Sequence, residues 1–84
     1  MLANEIILFY HVVHLKSFSK AAEKLELSKA FVSKHINQLE KELKTRLLLR
    51  NTRRLTLTEA GEAFYLQCEK MFELIQKSYE NVAA

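Results

Sequence analysis

The chain has no proline and a single glycine, Gly61, among its 84 residues. Glycine-dependent tight turns, phosphate-cradling loops and folds of many short strands are therefore disfavoured. No run of 18 apolar residues is present, so the sequence predicts no membrane span, and the N-terminus lacks the pattern of a signal peptide. These absences favour a small, mostly helical domain.

Groups for catalysis or metal binding are equally scarce. The one cysteine, Cys68, cannot form an internal disulfide, which favours a reducing compartment. Ser33 and His35 are two residues apart in sequence and diverge on a helix, so they do not suggest a nucleophile and its base. His11 and His14 have helical spacing but no further ligands nearby, so we expect no metal and no cofactor. An enzyme is the weakest interpretation.

Positive charge is concentrated in the middle of the chain. Residues 16–54 contain eleven Lys and Arg and four Glu, a net charge of +7, whereas the other residues have a net charge of −4. This division favours a polyanionic partner for the middle and a different role for the acidic C-terminal segment. Random clustering on a solvated surface is the alternative that charge alone leaves open.

Apolar residues at helical spacing, each set preceded by a polar cap, predict three helices before residue 44. Only three residues separate the second and third helices, and such a short connection gives the sharp turn of a helix-turn-helix. The predicted helices are residues 4–15, a second helix capped by Ser17 or Ser19 and ending at Leu25, and a third helix capped by Ser28 and running from Lys29 to about Leu43.

The hydrophobic period changes to two after the third helix. This predicts a two-stranded hairpin of Leu47–Arg50 and Arg54–Leu57. Thr58 can then cap a helix that continues to Val82, about 35 Å long. We expect residues 1–58 to form one functional unit and residues 59–84 a dimerisation helix. The sequence leaves open the alternative that this long amphipathic helix folds back on its own domain. The near-heptad stripe that predicts the dimer interface contains Phe64, Cys68, Met71, Ile75 and Tyr79.

The polar face of the third helix suits duplex DNA. Residues near the N-terminus of such a helix reach the bases first, so Lys29, Ala30, Ser33 and Lys34 are the candidate base contacts in the major groove. Phe31 is expected in the core or half-buried, and His35 on a partly exposed flank. The candidates for DNA backbone or minor-groove contacts are Ser17, Ser19, Ser28, Asn37, Arg50, Thr52, Arg53 and Arg54.

Two stretches, SFSKAAEKLELSKAFVSKHINQLEKEL and LLLRNTRRLTLTEAG, resemble the N-terminal winged helix-turn-helix of LysR-type transcriptional regulators. The resemblance covers nearly the whole chain without insertion. It implies a three-helix core with a β wing, a long dimerisation helix, a homodimer on an inverted-repeat DNA site and a cytoplasmic, nucleoid-associated location. It also implies a longer regulator, in which a separate effector domain would bind a small-molecule inducer.

The chain departs from the family pattern at several positions. The family usually has glycine where this chain has Lys16, Lys44 and Thr52. Glycine at a helix end permits a left-handed residue, so lysine there costs roughly 1 kcal/mol or else the helix ends differently. Lys29 and Lys34 stand where the family often has Gln and Arg, and the family's base preferences therefore do not transfer to them.

Two other kinds of function compete with DNA reading. A helical protein-interaction module would use the long helix and have an incidental basic surface. An RNA-binding winged helix ranks lower, because exposed aromatic platforms for single-stranded bases are missing from the sequence.

Overall fold

The computed structural model describes residues 3–50 and 54–83. Within them no helix is both long enough and apolar enough to cross a membrane. The predicted fold class, a mainly helical winged helix-turn-helix, is confirmed. Its elements are α1 (Ala3–Leu15), α2 (Phe18–Leu25), α3 (Lys29–Leu43), β1 (Leu48–Arg50), β2 (Leu55–Leu57) and α4 (Glu59–Ala83).

Serine side chains set the starts of α2 and α3. The Ser17 hydroxyl accepts a hydrogen bond from the backbone N–H of Lys20 at 3.1 Å, and the Ser28 hydroxyl accepts one from Phe31 at 3.0 Å. Each cap satisfies one of the amides that a helix leaves without an internal partner. Of the two candidate caps of α2, Ser17 is therefore the cap, and Ser19 lies exposed in the first turn.

The first three helices all end on a left-handed residue that is not glycine. Lys16, Glu26 and Lys44 have φ angles of 56°, 57° and 53°. At each end the next residue donates its N–H to a carbonyl five residues back, as Leu27 does to Ala22 at 2.9 Å, which is the Schellman arrangement. Lysine thus occupies two of these three helix ends and glutamate the third, and each such residue costs about 1 kcal/mol relative to glycine.

The core lies where α1, α2 and α3 meet, closed on one side by β1 and the first half of α4. Alanines at the α2 surface let α3 approach closely, and the aliphatic and aromatic residues fill the remaining space. The buried apolar residues are Leu8, Phe9, Val12, Ala21, Ala22, Val32, Ile36, Leu39, Leu47, Leu48 and Cys68.

The wing is an antiparallel pair in which Leu48 faces Leu57 and Arg50 faces Leu55. Both strands are one residue shorter than predicted, because Leu47 and Arg54 fall outside the paired register. The wing tip, residues 51–53, lies outside the described part of the chain, and with it lie the predicted DNA contacts Thr52 and Arg53.

The only glycine of the chain lets α4 approach the start of the wing. A Cβ on Gly61 would lie 2.0 Å from the carbonyl oxygen of Leu47. Thr58 fixes this approach: its hydroxyl donates to the Arg46 carbonyl at 2.6 Å and accepts from the Gly61 N–H at 2.9 Å. The backbone N–H of Thr58 donates to the Leu47 carbonyl at 3.0 Å. The N-cap of α4 is therefore also the joint between α4 and the wing.

We expect Gly61→Ala to lower the free energy of unfolding by about 2 kcal/mol, because the added methyl group cannot fit without moving backbone. Chemical denaturation of the 84-residue chain measures this change. Ala60→Gly, at the exposed neighbouring position, is the control and should cost no more than about 1 kcal/mol. Equal costs for the two variants would contradict the close approach.

Candidate nucleic-acid interface

The outer face of α3 is an exposed polar ridge. Ala30, Lys34, Asn37 and Lys41 follow one another at spacings of four, three and four residues, and all are exposed. This spacing places them on one side of the helix, away from the buried residues of α3. Lys29 is exposed in the first turn, and Ser33 is half-buried on the flank of the ridge. The structure thus brings all four candidate base contacts to the N-terminal half of α3.

Phe31 was expected in the core or half-buried, and the structure shows it exposed. Its side chain is 44% exposed and lines a surface groove with Leu27 and Ile7, which are each 37% exposed. Phe31 precedes the buried Val32 by one residue, so it points about 100° around α3 from the core stripe. Its ring packs on His35 instead, with the ring centroids 4.2 Å apart. His35 is half-buried on this flank, as expected.

The cap serines combine a structural and a candidate binding role. Each of Ser17 and Ser28 uses its hydroxyl oxygen to accept a backbone hydrogen bond, which leaves the hydroxyl hydrogen able to donate. The first amides of α2 and α3 lie beside them, and helix starts of this kind suit phosphate oxygens. Ser28 and Ser19 are exposed and Ser17 is half-buried.

Glu40 connects α3 to the wing, a role that sequence reasoning missed. The residue is 6% exposed, and its Oε2 accepts hydrogen bonds from the N–H groups of Leu47 at 2.8 Å and Leu48 at 3.1 Å. Its Oε1 lies 3.8 Å from the Arg50 guanidinium. An acid on a helix resembles a solvated residue in the sequence, and only the return of the chain at residues 47–50 shows its partners.

Arg50 was expected to contact the DNA backbone, and the structure gives it partners within the domain. Its guanidinium carbon lies 4.9 Å from the centre of the Phe18 ring, in addition to the ion pair with Glu40. Part of the side chain stays accessible, so a phosphate contact would add to these interactions. Arg54 is exposed just before β2.

The predicted dimer stripe of α4 divides into two parts. Cys68 is fully buried, and Phe64 packs on Phe9 with the ring centroids 5.3 Å apart. The expectation that Cys68 lies at the dimer interface is corrected, because its side chain is enclosed by its own domain. Phe64 is half-buried, and its place at the interface stays a prediction. Further along α4 the apolar residues are exposed: Met71 39%, Leu74 67%, Ile75 51%, Tyr79 75% and Val82 89%.

Burial shifts the pKa values of two groups in and beside the core. Burial raises the pKa of the Cys68 thiol to about 11, so the thiol is protonated and unreactive at neutral pH. Burial also lowers the pKa of His11, with smaller contributions from Lys24 and His14. Among residues 3–50 and 54–83 no group of three His, Cys, Asp or Glu side chains could hold a metal ion.

The family model of the bacterial regulatory helix-turn-helix protein, lysR family, matches residues 3–62. The chain belongs to the LysR family. This match covers the three-helix core, the wing and the start of α4, so the domain is a LysR-type helix-turn-helix DNA-binding domain. The relatives of this LysR-type domain are transcriptional regulators, and the domain is not an enzyme.

Individual proteins support the same assignment of the LysR-type domain. It is 46% identical over 66 residues to an HTH-type transcriptional regulator of Haemophilus influenzae, covering 79% of this chain and 23% of that protein. It is 40% identical over 76 residues to the transcriptional activator AaeR of Escherichia coli K12, covering 90% of this chain and 25% of AaeR. The chain spans about a quarter of the length of these relatives.

A solved structure matches the LysR-type fold from end to end. The DNA-binding domain of BenM, in its complex with catB site 1 DNA, superimposes with a TM-score of 0.90 and 31% sequence identity. The match covers 99% of this chain and 92% of that one. The long α4 is therefore part of the shared architecture.

We expect Glu40→Ala to destabilise the LysR-type domain by about 3 kcal/mol, because two buried N–H groups and Arg50 lose their partner together. Thermal and urea unfolding measure the loss. Glu42→Ala removes an exposed acid two residues away on α3 and should change stability by less than about 0.5 kcal/mol. If Glu40→Ala unfolded like the unchanged chain, the carboxylate would not hold the wing.

Proposed function

We propose that this LysR-type domain reads double-stranded DNA with the N-terminal half of α3 in the major groove. Lys29, Ala30, Ser33 and Lys34 are the base-contacting residues of the proposal. The observation that carries it is the exposed ridge of α3, which no described residue of the chain covers. Its lysines can donate to guanine, Ser33 can donate or accept, and Ala30 can contact a thymine methyl group.

The surroundings of α3 supply the contacts that position the duplex. We assign Ser17, Ser19 and Ser28 to phosphates, because they lie at the starts of α2 and α3. Asn37, on the ridge of α3, and Arg50, at the end of β1, extend this set of contacts. We assign Thr52, Arg53 and Arg54 to contacts between the wing and the DNA backbone or minor groove.

We further propose that the domain is a homodimer through α4. The exposed residues Met71, Ile75 and Val82 are spaced by four and seven residues, as in a helix that packs along a second helix. Exposed apolar residues of this kind mark an interface. Leu74, which sequence reasoning missed, and Tyr79 flank the stripe. The segment 59–84 then has two tasks, since its first half completes the core.

A two-fold dimer would present two copies of α3 to the duplex. The proposed site is therefore an inverted repeat whose half-sites are about one helical turn, ~34 Å, or a multiple apart. We place any response to a small-molecule inducer in an effector domain outside this sequence. A cytoplasmic, nucleoid-associated location belongs to the same proposal.

Selection of bound sites from a random duplex pool tests DNA reading and half-site symmetry together. On a selected duplex, Lys34→Ala should weaken binding by about 1–3 kcal/mol and relax the preference at one base pair in each half-site. Fluorescence anisotropy across several salt concentrations measures this effect. Lys70→Ala, an exposed lysine on α4, should leave affinity unchanged. Failure of the unchanged chain to bind any duplex in dilute buffer would refute the function.

Replacing one apolar residue of α4 with an acid tests the dimer. Ile75→Glu should shift the chain from dimer to monomer in analytical ultracentrifugation, because the charge would be buried between helices. Leu66→Glu is the matched control: Leu66 is 56% exposed against 51% for Ile75, and nine residues place it on the opposite side of α4. The Leu66 variant should remain dimeric. Identical behaviour of both variants would exclude this face.

A further inference from the structure

The exposed ridge of α3 does not stop where the candidate base contacts end. After Lys34 and Asn37 it continues to Lys41, four residues further on, and Lys44 follows directly after the end of α3. From Ala30 to Leu43, the last residue of α3, the helix is about 20 Å long, at ~1.5 Å per residue. The major groove is only about 12 Å wide. A helix with its first turns at the bases therefore carries its last turn beyond the groove, to the height of the phosphates.

The end of this ridge is a concavity with strong positive charge. Lys41, Lys44 and Arg46 line an open space of about 490 Å³, together with Asn37 and Thr45. The one acid in the lining, Glu40, directs its carboxylate inward, to two backbone N–H groups and Arg50. Its charge is therefore shared with groups inside the domain, and three cations remain on the outside.

Backbone hydrogen bonds hold the loop of this concavity in place. The N–H of Thr45 donates to the Glu40 carbonyl at 3.1 Å. The Thr45 hydroxyl donates to the Leu43 carbonyl at 3.1 Å. The carbonyl of Arg46 accepts from the Thr58 hydroxyl at 2.6 Å. The cationic side chains thus extend from a fixed backbone, which lowers the entropy lost on binding an anion.

Lys44 itself has a conformation that glycine would adopt at lower cost. Its φ of 53° is in the left-handed region, where a side chain is unfavourable. Residues held in such conformations cluster at functional sites. Lys44 therefore keeps a cationic side chain at a position where glycine would be more stable.

We propose that Lys41, Lys44 and Arg46 form a phosphate clamp. It grips the backbone of the same duplex whose bases the N-terminal half of α3 reads. The clamp rests on the proposed DNA binding and adds a further anchoring point, separate from the serines at the helix starts. It contributes affinity on every sequence and no base preference, as phosphate contacts do.

Lys44→Gly separates the two roles of this residue, because its effects on folding and on binding have opposite signs. The melting temperature should rise by about 4 °C, since the left-handed conformation no longer carries a side chain. Affinity for a short random-sequence duplex should fall roughly two- to fivefold. The slope of log K against log salt should become shallower by about 1.

Two control variants isolate the charge. Glu26→Gly relieves the same backbone conformation at the end of α2 and should raise the melting temperature without making the salt slope shallower. Lys44→Gln keeps the side chain at that position and should reproduce the loss of slope without the gain in melting temperature. Lys44→Arg should bind like the unchanged chain.

The outcomes distinguish the clamp from the DNA binding on which it rests. An unchanged salt slope in both Lys44→Gly and Lys44→Gln would overturn the clamp and leave Lys44 as a partner of the α3 dipole. A loss confined to one base sequence would overturn it as well, because it would show a base contact. Absence of any duplex binding by the unchanged chain would instead refute the proposed function itself.

Discussion

The arrangement of this domain depends on one buried carboxylate. Glu40 belongs to α3 by sequence and to the wing by its contacts, because it accepts hydrogen bonds from the two backbone N–H groups at residues 47 and 48. Arg50 pairs with the same carboxylate and packs over Phe18 at the start of α2. The helix that would read bases and the strand that leads to the wing tip are thereby one rigid unit. Two separate surfaces can then engage one duplex without an added ordering cost.

The helix ends show where stability and charge compete. A domain of this size is stable by roughly 4–13 kcal/mol, so three left-handed residues without glycine, at about 1 kcal/mol each, are a sizeable share. Lys16 and Lys44 add charge to the basic middle of the chain, whereas Glu26 adds an acid. For the two lysines, binding a polyanionic partner would offset this loss of stability, whereas for Glu26 it would not.

Local signals in the sequence were sufficient for most of the fold. The Ser28 cap, the apolar period of α3 and the change of period at the wing predicted these elements because each depends on neighbours within a few residues. Glu40 and Phe31 could not be interpreted in this way. Whether an acid is solvated or buried, and whether a phenylalanine reaches the core, depends on segments that are distant in sequence. The helical period of α4 was likewise clear from the sequence. The sequence did not show at which residue the apolar stripe of α4 leaves the core and becomes exposed.

This change from a buried to an exposed apolar stripe along α4 determines how a dimer would present its two α3 helices. Near its start α4 contacts the wing through Gly61, and Cys68 holds it in the core. Beyond Phe72, which stacks on Tyr10 at 4.1 Å, the apolar side chains of α4 face outward. Because the same helix is fixed to the core at one end and exposed at the other, a partner packed on Ile75 would set the direction of α3. In such a dimer the separation of the two half-sites on DNA would depend on the attachment of α4, and it would not depend on the residues that touch the bases.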